Sequence, residues 1–391
     1  MNLFEVYDLL NIEPVEAKGA YLWDSKGEKF LDFYGGHAVI SIGHCHPVYV
    51  DKVGAQLSRL GFYSNAVVNR LQEELAAELS CLSGYPGYKL FLCNSGAEAN
   101  ENALKLASFV TGREKILAMK GAFHGRTSAA VAITDNPAIQ APVNRNHKVT
   151  FMSMNDCGAL KKELMTGEYA AVIVEGIQGV GGIRLPQNEF LVTMRGACHQ
   201  SGTMMIVDEI QSGYARSGKF FAHQYAGVEP DIVTMAKGMG NGFPIAGLLI
   251  APEIEAKKGM LGTTFGGSHL ACAAALAVLE VIKGEYLENN AAALGKYLMN
   301  EMKKVAGVTD VRGRGLMIGV DLEIPQSEFR SKLLEEKHIL TGYSGKNTLR
   351  LLPPLTITRK EADEFLNAFR AVMLEVRKGE VKTERSACLA G

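Results

Sequence analysis

Apolar residues recur at three- and four-residue spacing in LQEELAAELSCL (Leu71, Leu75, Leu79, Leu82), the signature of a helix with one buried face. A different pattern follows. KLFLCN, KILAMK, AAVIVEG, TMMIVDE, DIVTMAK and IAGLLIA are short, continuously apolar runs rich in β-branched residues, separated by helical stretches such as AEANENALKLASFV. Strands that do not alternate apolar with polar are covered on both faces, so residues 60 to 280 predict an open, mostly parallel sheet with helices on either side. Both ends of the chain read differently. GAYLWDSKGEKFLDFYGG holds short strands and turns; after residue 284 come a polar helical stretch, VRGRGLMIGVDL, and TLRLLPPLTIT ahead of a helix from Lys360. The division expected is a large domain over 61–283 and a smaller α+β domain assembled from 1–60 and 284–391. The polar tail from Lys378 is expected to fray.

Composition narrows the function more than the fold. The chain has 391 residues, 47% hydrophobic and 21% charged, with a formal net charge of −1. That balance is ordinary for a globular protein and gives no basic field to steer a polyanion. No nucleic-acid partner is expected. MNLFEVYDLLNIEP carries Glu5 and Asp8 where a signal peptide would be basic and then uninterruptedly apolar. The longest greasy run, LACAAALAVLEVI, is interrupted by Glu280 and is too short for a membrane span. Seven cysteines without a C-x-x-C pair suit a reducing cytoplasm. His44, Cys45 and His46 in GHCHP lack zinc spacing and read as a turn, and no metal is expected.

Chemistry is expected beyond the carboxyl ends of the strands. After KLFLC, Asn94-Ser95-Gly96-Ala97 opens a helix; this is either a phosphate cup or an ordinary cap by Ser95. After TMMIV comes Asp208-Glu209-Ile210-Gln211, where a carboxylate at the end of an apolar strand needs a cationic or N–H partner; from this stretch alone a cap on the next helix is the better reading. After DIVTMA comes Lys237, a lysine in apolar surroundings suited to bonding a carbonyl, or one that merely snorkels. Lys237 precedes its glycines, so TMAKGMGNGFPIAG is not a P-loop. GMGNGF and GVGGIR put Phe243 and Arg184 where a dinucleotide loop needs its third glycine. The glycines after Lys237 are read as backbone clearance. A phosphate cup, a carboxylate and a lysine at three strand ends are the partners a phosphorylated pyridine aldehyde requires.

The ordered set NSGAEANENALKLA, FHGRTSAA, EGIQGVGG, DEIQSGYARSGKFFAHQYAGVEPDIVTMAKGMGNGFPIAG, GTTFGGSHLACAAALAVLEVI, VRGRGLMIGV and LRLLPPLTIT resembles the class III, fold-type I pyridoxal-phosphate aminotransferases, in the branch of the acetylornithine aminotransferases. The resemblance runs over nearly the whole chain. It implies pyridoxal 5′-phosphate bonded to Lys237, with Asp208 keeping the pyridine nitrogen protonated. Ser95, Gly96 and Ala97 would hold the phosphate, Phe123 would stack on the ring, and Gln211 would lie near its phenolic oxygen beside Glu209. Thr264 would reach the phosphate of a neighbouring subunit's cofactor and Thr263 the substrate there, which makes a homodimer with shared sites. Arg126 would clamp a substrate carboxylate, Arg350 would take the α-carboxylate of glutamate or 2-oxoglutarate, and Glu175 would line the substrate site.

The implied reaction moves the terminal amine of N2-acetyl-L-ornithine to 2-oxoglutarate, a step of arginine biosynthesis. N-succinylornithine, ornithine or 4-aminobutyrate as donor, an aminomutase or decarboxylating relative, and a cofactor-binding regulator are the alternatives. The chain departs from the pattern E-P-I-Q-G-E-x-G at Gly176 and at Val180, where relatives carry the glutamate that shields the arginine corresponding to Arg350. An uncompensated buried guanidinium costs on the order of 3–5 kcal/mol, so another anion, water, or a different Arg350 position is expected. Ala215 and Ser217, in place of glycine and threonine, are read as packing changes.

Overall fold

The computed structural model describes residues 1 and 3–389, with side chains through Lys378. Fourteen strands form two seven-stranded sheets. In chain order they are β1 (Pro14–Lys18), β2 (Tyr21–Asp24), β3 (Lys29–Phe33), β4 (Lys89–Cys93), β5 (Lys115–Met119), β6 (Val149–Met152), β7 (Tyr169–Glu175), β8 (Met204–Asp208), β9 (Ile232–Met235), β10 (Ala246–Ile250), β11 (Val308–Arg314), β12 (Met317–Leu322), β13 (Ile339–Ser344) and β14 (Thr348–Leu351).

The central sheet runs β4-β10-β9-β8-β7-β5-β6. Its neighbours pair in parallel except at β10, which is antiparallel to both β4 and β9. The mostly parallel sheet expected from the continuous apolar runs is present. Every residue of β7, β9 and β10 is buried. Burial on both faces looks the same in either strand direction, which is why IAGLLIA gave no hint of its reversal. The reversal has a use: the start of β10 meets the carboxyl ends of the other strands, so the loop before it, residues 242–245, joins the same rim.

The second sheet, β1-β2-β3-β13-β14-β12-β11, combines strands from both ends of the chain through a parallel β3–β13 pair. The run LACAAALAVLEVI lies in the helix His269–Gly284, buried on nearly all sides inside the largest apolar cluster. Among the described residues no helix is long and apolar enough to cross a membrane. The closing helix spans Arg359–Leu389; the fraying expected from Lys378 concerns residues whose side chains lie outside the described ones. In the GHCHP turn, His44 pairs with Asp32 and His46 with Glu285, each at 2.9 Å, on either side of Cys45.

Candidate active site

A cavity of about 290 Å³ opens along the carboxyl ends of the central strands, the size of a small ligand pocket. In the ladder Glu175 lies opposite Asp208, and Asp208 opposite Thr234. Paired residues share one face of the sheet, so these three side chains stand side by side. Asp208 is buried. Its Oδ2 accepts from Asn100 Nδ2 at 2.8 Å and meets His124 Nδ1 at 2.7 Å; its Oδ1 accepts from the Ile210 N–H at 3.0 Å. Asn100 is itself held, donating to the His124 carbonyl and accepting from Thr234 Oγ1, each at 2.8 Å. The carboxylate at the strand end thus has the partners that burial requires. His124 and Asn100 could not be read as its partners from sequence: they lie 84 and 108 residues away.

Lys237 lines the same cavity, and its Nζ makes no hydrogen bond or ion pair among the described residues, while its carbonyl accepts from the Gly240 N–H at 3.0 Å. Burial lowers its basicity from the usual 10.5, while Asp208 and Glu175 pull the other way and Arg350 adds to the lowering. Its backbone is left-handed, φ +47°, an arrangement that costs a non-glycine residue about 1–2 kcal/mol. What holds it there is Asn241. This side chain accepts from the Ser41 and Ile42 N–H groups at 2.8 and 3.1 Å and donates to the Gly43 carbonyl at 2.9 Å, while Ser41 Oγ donates to the Gly238 carbonyl at 2.7 Å. The lysine loop is therefore stitched to the loop after β3. Clearance for a ligand explains only part of the glycine run. A Cβ on Gly240 would lie 2.1 Å from the Phe243 carbonyl, and one on Gly238 would press on Ser41 at 3.3 Å; of the three glycines only Gly242 lines the cavity.

The helix Gly96–Thr111 begins at the rim with a capping box. Ser95 Oγ accepts from the Glu98 N–H, while the Glu98 carboxylate accepts from the Asn94 and Ser95 N–H groups at 2.6 and 3.0 Å. Ser95 is a cap, as one reading of this loop expected, and the first-turn N–H groups of Gly96 and Ala97 have no intrahelical acceptor, at the positive end of the helix. Gly125 closes the cup, where a Cβ would come within 2.8 Å of Ala97 Cβ. Phe123 lines the cavity beside it.

Adjacent acids diverge. Glu209 does not line the cavity, contrary to its grouping with the cofactor residues in sequence. It is buried beneath Gly176, bonded to His223 Nδ1 at 2.7 Å, the His223 N–H at 2.9 Å and Ser212 Oγ at 2.6 Å, with Tyr85 OH on the far side of His223. A Cβ on Gly176 would sit 2.5 Å from Glu209 Oε1, which gives the missing proline a steric reason. Gln211 does line the cavity; its Nε2 donates to the His37 carbonyl at 3.1 Å and its Oε1 has no partner. Glu175 accepts from the N–H groups of Phe123 at 3.1 Å and Gly179 at 2.9 Å, and burial pushes its carboxyl from 4.5 up to about 7. Ala215 adopts φ +69°, so its replacement of glycine is a backbone matter rather than a packing one.

The residues expected to hold substrate are more dispersed. Arg126 and Thr264 are exposed and outside the cavity wall. Thr263 Oγ1 accepts from Asn94 Nδ2 at 3.3 Å and the Gly266 N–H at 3.1 Å, and faces a second hollow lined by Asn65, Gln72 and Leu261. Arg350 is 5% exposed, yet its Nε and Nη1 find no acceptor, and burial lowers its pKa from 12.5. No carboxylate pairs with it among the described residues, and Val180 projects, 48% exposed, at the cavity edge.

Comparison with known proteins places this geometry. The sequence profile of the class-III aminotransferases matches residues 5–373. The chain belongs to that family. This aminotransferase is 40% identical to the acetylornithine aminotransferase of Methanocaldococcus jannaschii over 96% of each chain, and 38% identical to that of Bacillus subtilis over 94% of this chain and 97% of the other. Among solved structures it is similar to the ornithine aminotransferase of Toxoplasma gondii (30% identity, TM-score 0.89, 95% and 92% covered) and to the acetylornithine aminotransferase of Elizabethkingia anophelis (31%, 0.81, 94% and 95%). A second Toxoplasma structure is described with partial occupancy of pyridoxal phosphate at its active site.

Proposed function

We propose that this aminotransferase moves the terminal amine of N2-acetyl-L-ornithine to 2-oxoglutarate with pyridoxal 5′-phosphate, giving N-acetylglutamate 5-semialdehyde and glutamate. The supporting observation is the unpartnered, weakened base Lys237 in one cavity with the Asp208 carboxylate and two free helix N–H groups. The residues fit the cofactor: an orphan lysine for its aldehyde, an N–H cup for its phosphate, a fixed carboxylate for its ring nitrogen and the spare Gln211 Oε1 near a ring oxygen. When bound, pyridoxal phosphate supplies an electron-accepting ring that lets a proton leave the carbon carrying the amine.

This chain's residues do the rest. Asp208 holds a proton at the ring nitrogen, and His124 and Asn100 hold Asp208 in place. Lys237 Nζ, uncharged more readily than a solvated lysine, takes that proton from the amine-bearing carbon and returns it elsewhere. Phe123, which lines the cavity, would pack on the ring. Arg126 clamps the distal carboxylate of either substrate, and Arg350 takes the carboxylate beside the keto group of 2-oxoglutarate. Thr264 and Thr263, away from their own subunit's cavity, serve a second subunit's site, so the working form is a homodimer, in the cytoplasm.

The test is spectroscopic. The purified protein absorbs in the visible; N-acetylornithine bleaches it and 2-oxoglutarate restores it. No spectral response to N-acetylornithine, N-succinylornithine, ornithine, 4-aminobutyrate or glutamate overturns the reading, and their kcat/KM order fixes the donor.

A further inference from the structure

Arg350 is buried, positively charged and without an acceptor, which raises the question of what covers it between substrates. Its position in the ladder answers. On β14 it pairs with Gly319 of β12 on one side and Gly342 of β13 on the other. Directly paired residues share a face, so the two missing side chains leave gaps flanking the arginine. Each gap is filled from elsewhere. A Cβ on Gly319 would lie 2.9 Å from Ile183 Cβ; one on Gly342 would lie 3.1 and 3.2 Å from Cδ2 and Cε2 of Tyr34. The Tyr34 ring therefore occupies the Gly342 gap, on the same face as the Arg350 side chain.

Tyr34 is not free to swing at random. Its hydroxyl lies 2.7 Å from His37 Nδ1 and 2.6 Å from Nε2, with the two rings edge to face at 4.7 Å. His37 stands in an unusual turn: Gly35, Gly36, His37 and Ala38 all have left-handed backbones, φ +56°, +54°, +63° and +64°. Strained backbone of this kind, at about 1 kcal/mol or more per non-glycine residue, clusters where a side chain must be aimed. The turn is anchored to the cavity, since the His37 carbonyl accepts from Gln211, and to Asp32, whose Oδ1 accepts from the Tyr34 and Gly35 N–H groups at 2.9 and 2.7 Å. The other guanidinium nearby, Arg330, donates to the Thr341 carbonyl and lies over Tyr343, so it is already engaged.

We propose that the Tyr34 hydroxyl, aimed by His37, is a second ligand for the substrate carboxylate that Arg350 binds, and that this Tyr34–His37 pair covers Arg350 when no such carboxylate is present. The inference rests on the reading of Arg350 as the site of the 2-oxo acid's carboxylate. The surrounding groups fit it: burial raises the Tyr34 hydroxyl above its usual 10.0 and keeps it protonated, with Arg350 and Arg330 pulling the other way, while burial, Arg350 and Lys237 hold His37 down at about 4, so that it stays neutral and can accept the hydroxyl's hydrogen bond at neutral pH. A carboxylate arriving at Arg350 takes the hydroxyl's hydrogen bond from His37. No ion pair has to break, in contrast to a glutamate shield.

The experiment uses the holoenzyme and three variants. Tyr34→Phe keeps the ring in the Gly342 gap and removes the hydroxyl. It is expected to raise the KM for 2-oxoglutarate about 10-fold or more, the loss of one hydrogen bond to a charged group, and to weaken glutarate binding by the same factor in calorimetry. The half-reaction with the N-acylornithine donor, followed by bleaching, stays within about 2-fold, because that donor's reacting carbon bears no carboxylate; a factor this small lies below one hydrogen bond. His37→Gly keeps the left-handed turn and loses the ring, and is expected to raise the same KM by a smaller factor. His37→Asn, which tolerates the turn and can accept the hydroxyl's proton, restores it. Unchanged KM and glutarate affinity in Tyr34→Phe overturn the proposal, as does an equal loss in both half-reactions. Wild type that bleaches with donor but never recovers with 2-oxoglutarate indicts the acceptor reading instead.

Discussion

The two ends of the cavity are built differently. At the floor, Asp208, His124, Asn100 and Thr234 are linked by hydrogen bonds inside one polypeptide, with only His124 Nε2 of this group left without a partner among the described residues, and the lysine loop is pinned by Asn241. Beyond the cavity wall, Arg126 and Thr264 are exposed and Arg350 is buried without an acceptor among the described residues. On the proposed reaction, a carboxylate held by all its partners suits chemistry that is the same in every turnover. An uncompleted rim is what a site needs when it must take two different substrates in turn, because each one supplies its own missing partner.

The contrast can be attacked from its strongest side first. Lys237→Ala is expected to abolish the visible absorption and reduce turnover by at least about 10³-fold, measured as glutamate formed from N-acetylornithine and 2-oxoglutarate. Residual transamination at a tenth of wild type would remove the lysine from the mechanism. His124→Ala leaves the Asp208 carboxylate with one fewer donor and should lower kcat/KM about 10- to 100-fold with either substrate alike, the value of one hydrogen bond to a charge. A loss confined to one half-reaction would move His124 from the floor to the rim.

The third effect is one of stability and pH. Glu175 is held at about 7 in the folded cofactor-free protein against 4.5 when unfolded, so the folded state binds the extra proton between those values. Its contribution is present below pH 4.5 and is lost as pH rises to 7, by about 2–3 kcal/mol. Glu175→Gln should remove that slope from denaturant-unfolding curves at pH 5 and 7.5, whatever it does to absolute stability. Parallel curves for the two proteins would show that the carboxyl ionises freely. Smallest is Val180→Glu, expected to pair with Arg350 and raise the KM for 2-oxoglutarate a few-fold, on the scale of a partly exposed ion pair. No change in the preference between N-acylornithine and glutamate would leave Val180 a packing residue.

How legible this was depended on distance along the chain. Continuous apolar runs announced the parallel sheet, and the residue following each run announced which loops reach the rim, because a strand's end and its next residue are neighbours by covalent bond. The partners that make those residues work are neighbours only after folding. His124 was in plain view in FHGRT, yet nothing local ties it to Asp208. Asn241 looked like one more polar residue among glycines. Asp208 and Glu209 are adjacent and chemically alike; which of them faces the cavity is decided by the strand's last turn and by His223, Ser212 and Tyr85, not by either residue. β10 carried no sign of its direction, since burial on both faces erases the alternation that would have shown it.

The Asn241 contacts span about 200 positions in sequence, linking Ser41 to the lysine loop. Chain closure over such a span is slow compared with forming a helix or hairpin. During synthesis, residues 1–43 emerge long before the loop they must grip, and β3 must also wait for β13, near the far end, to complete its sheet. Closure over this span puts the Asn241 clamp on the left-handed lysine loop among the slower contacts of folding.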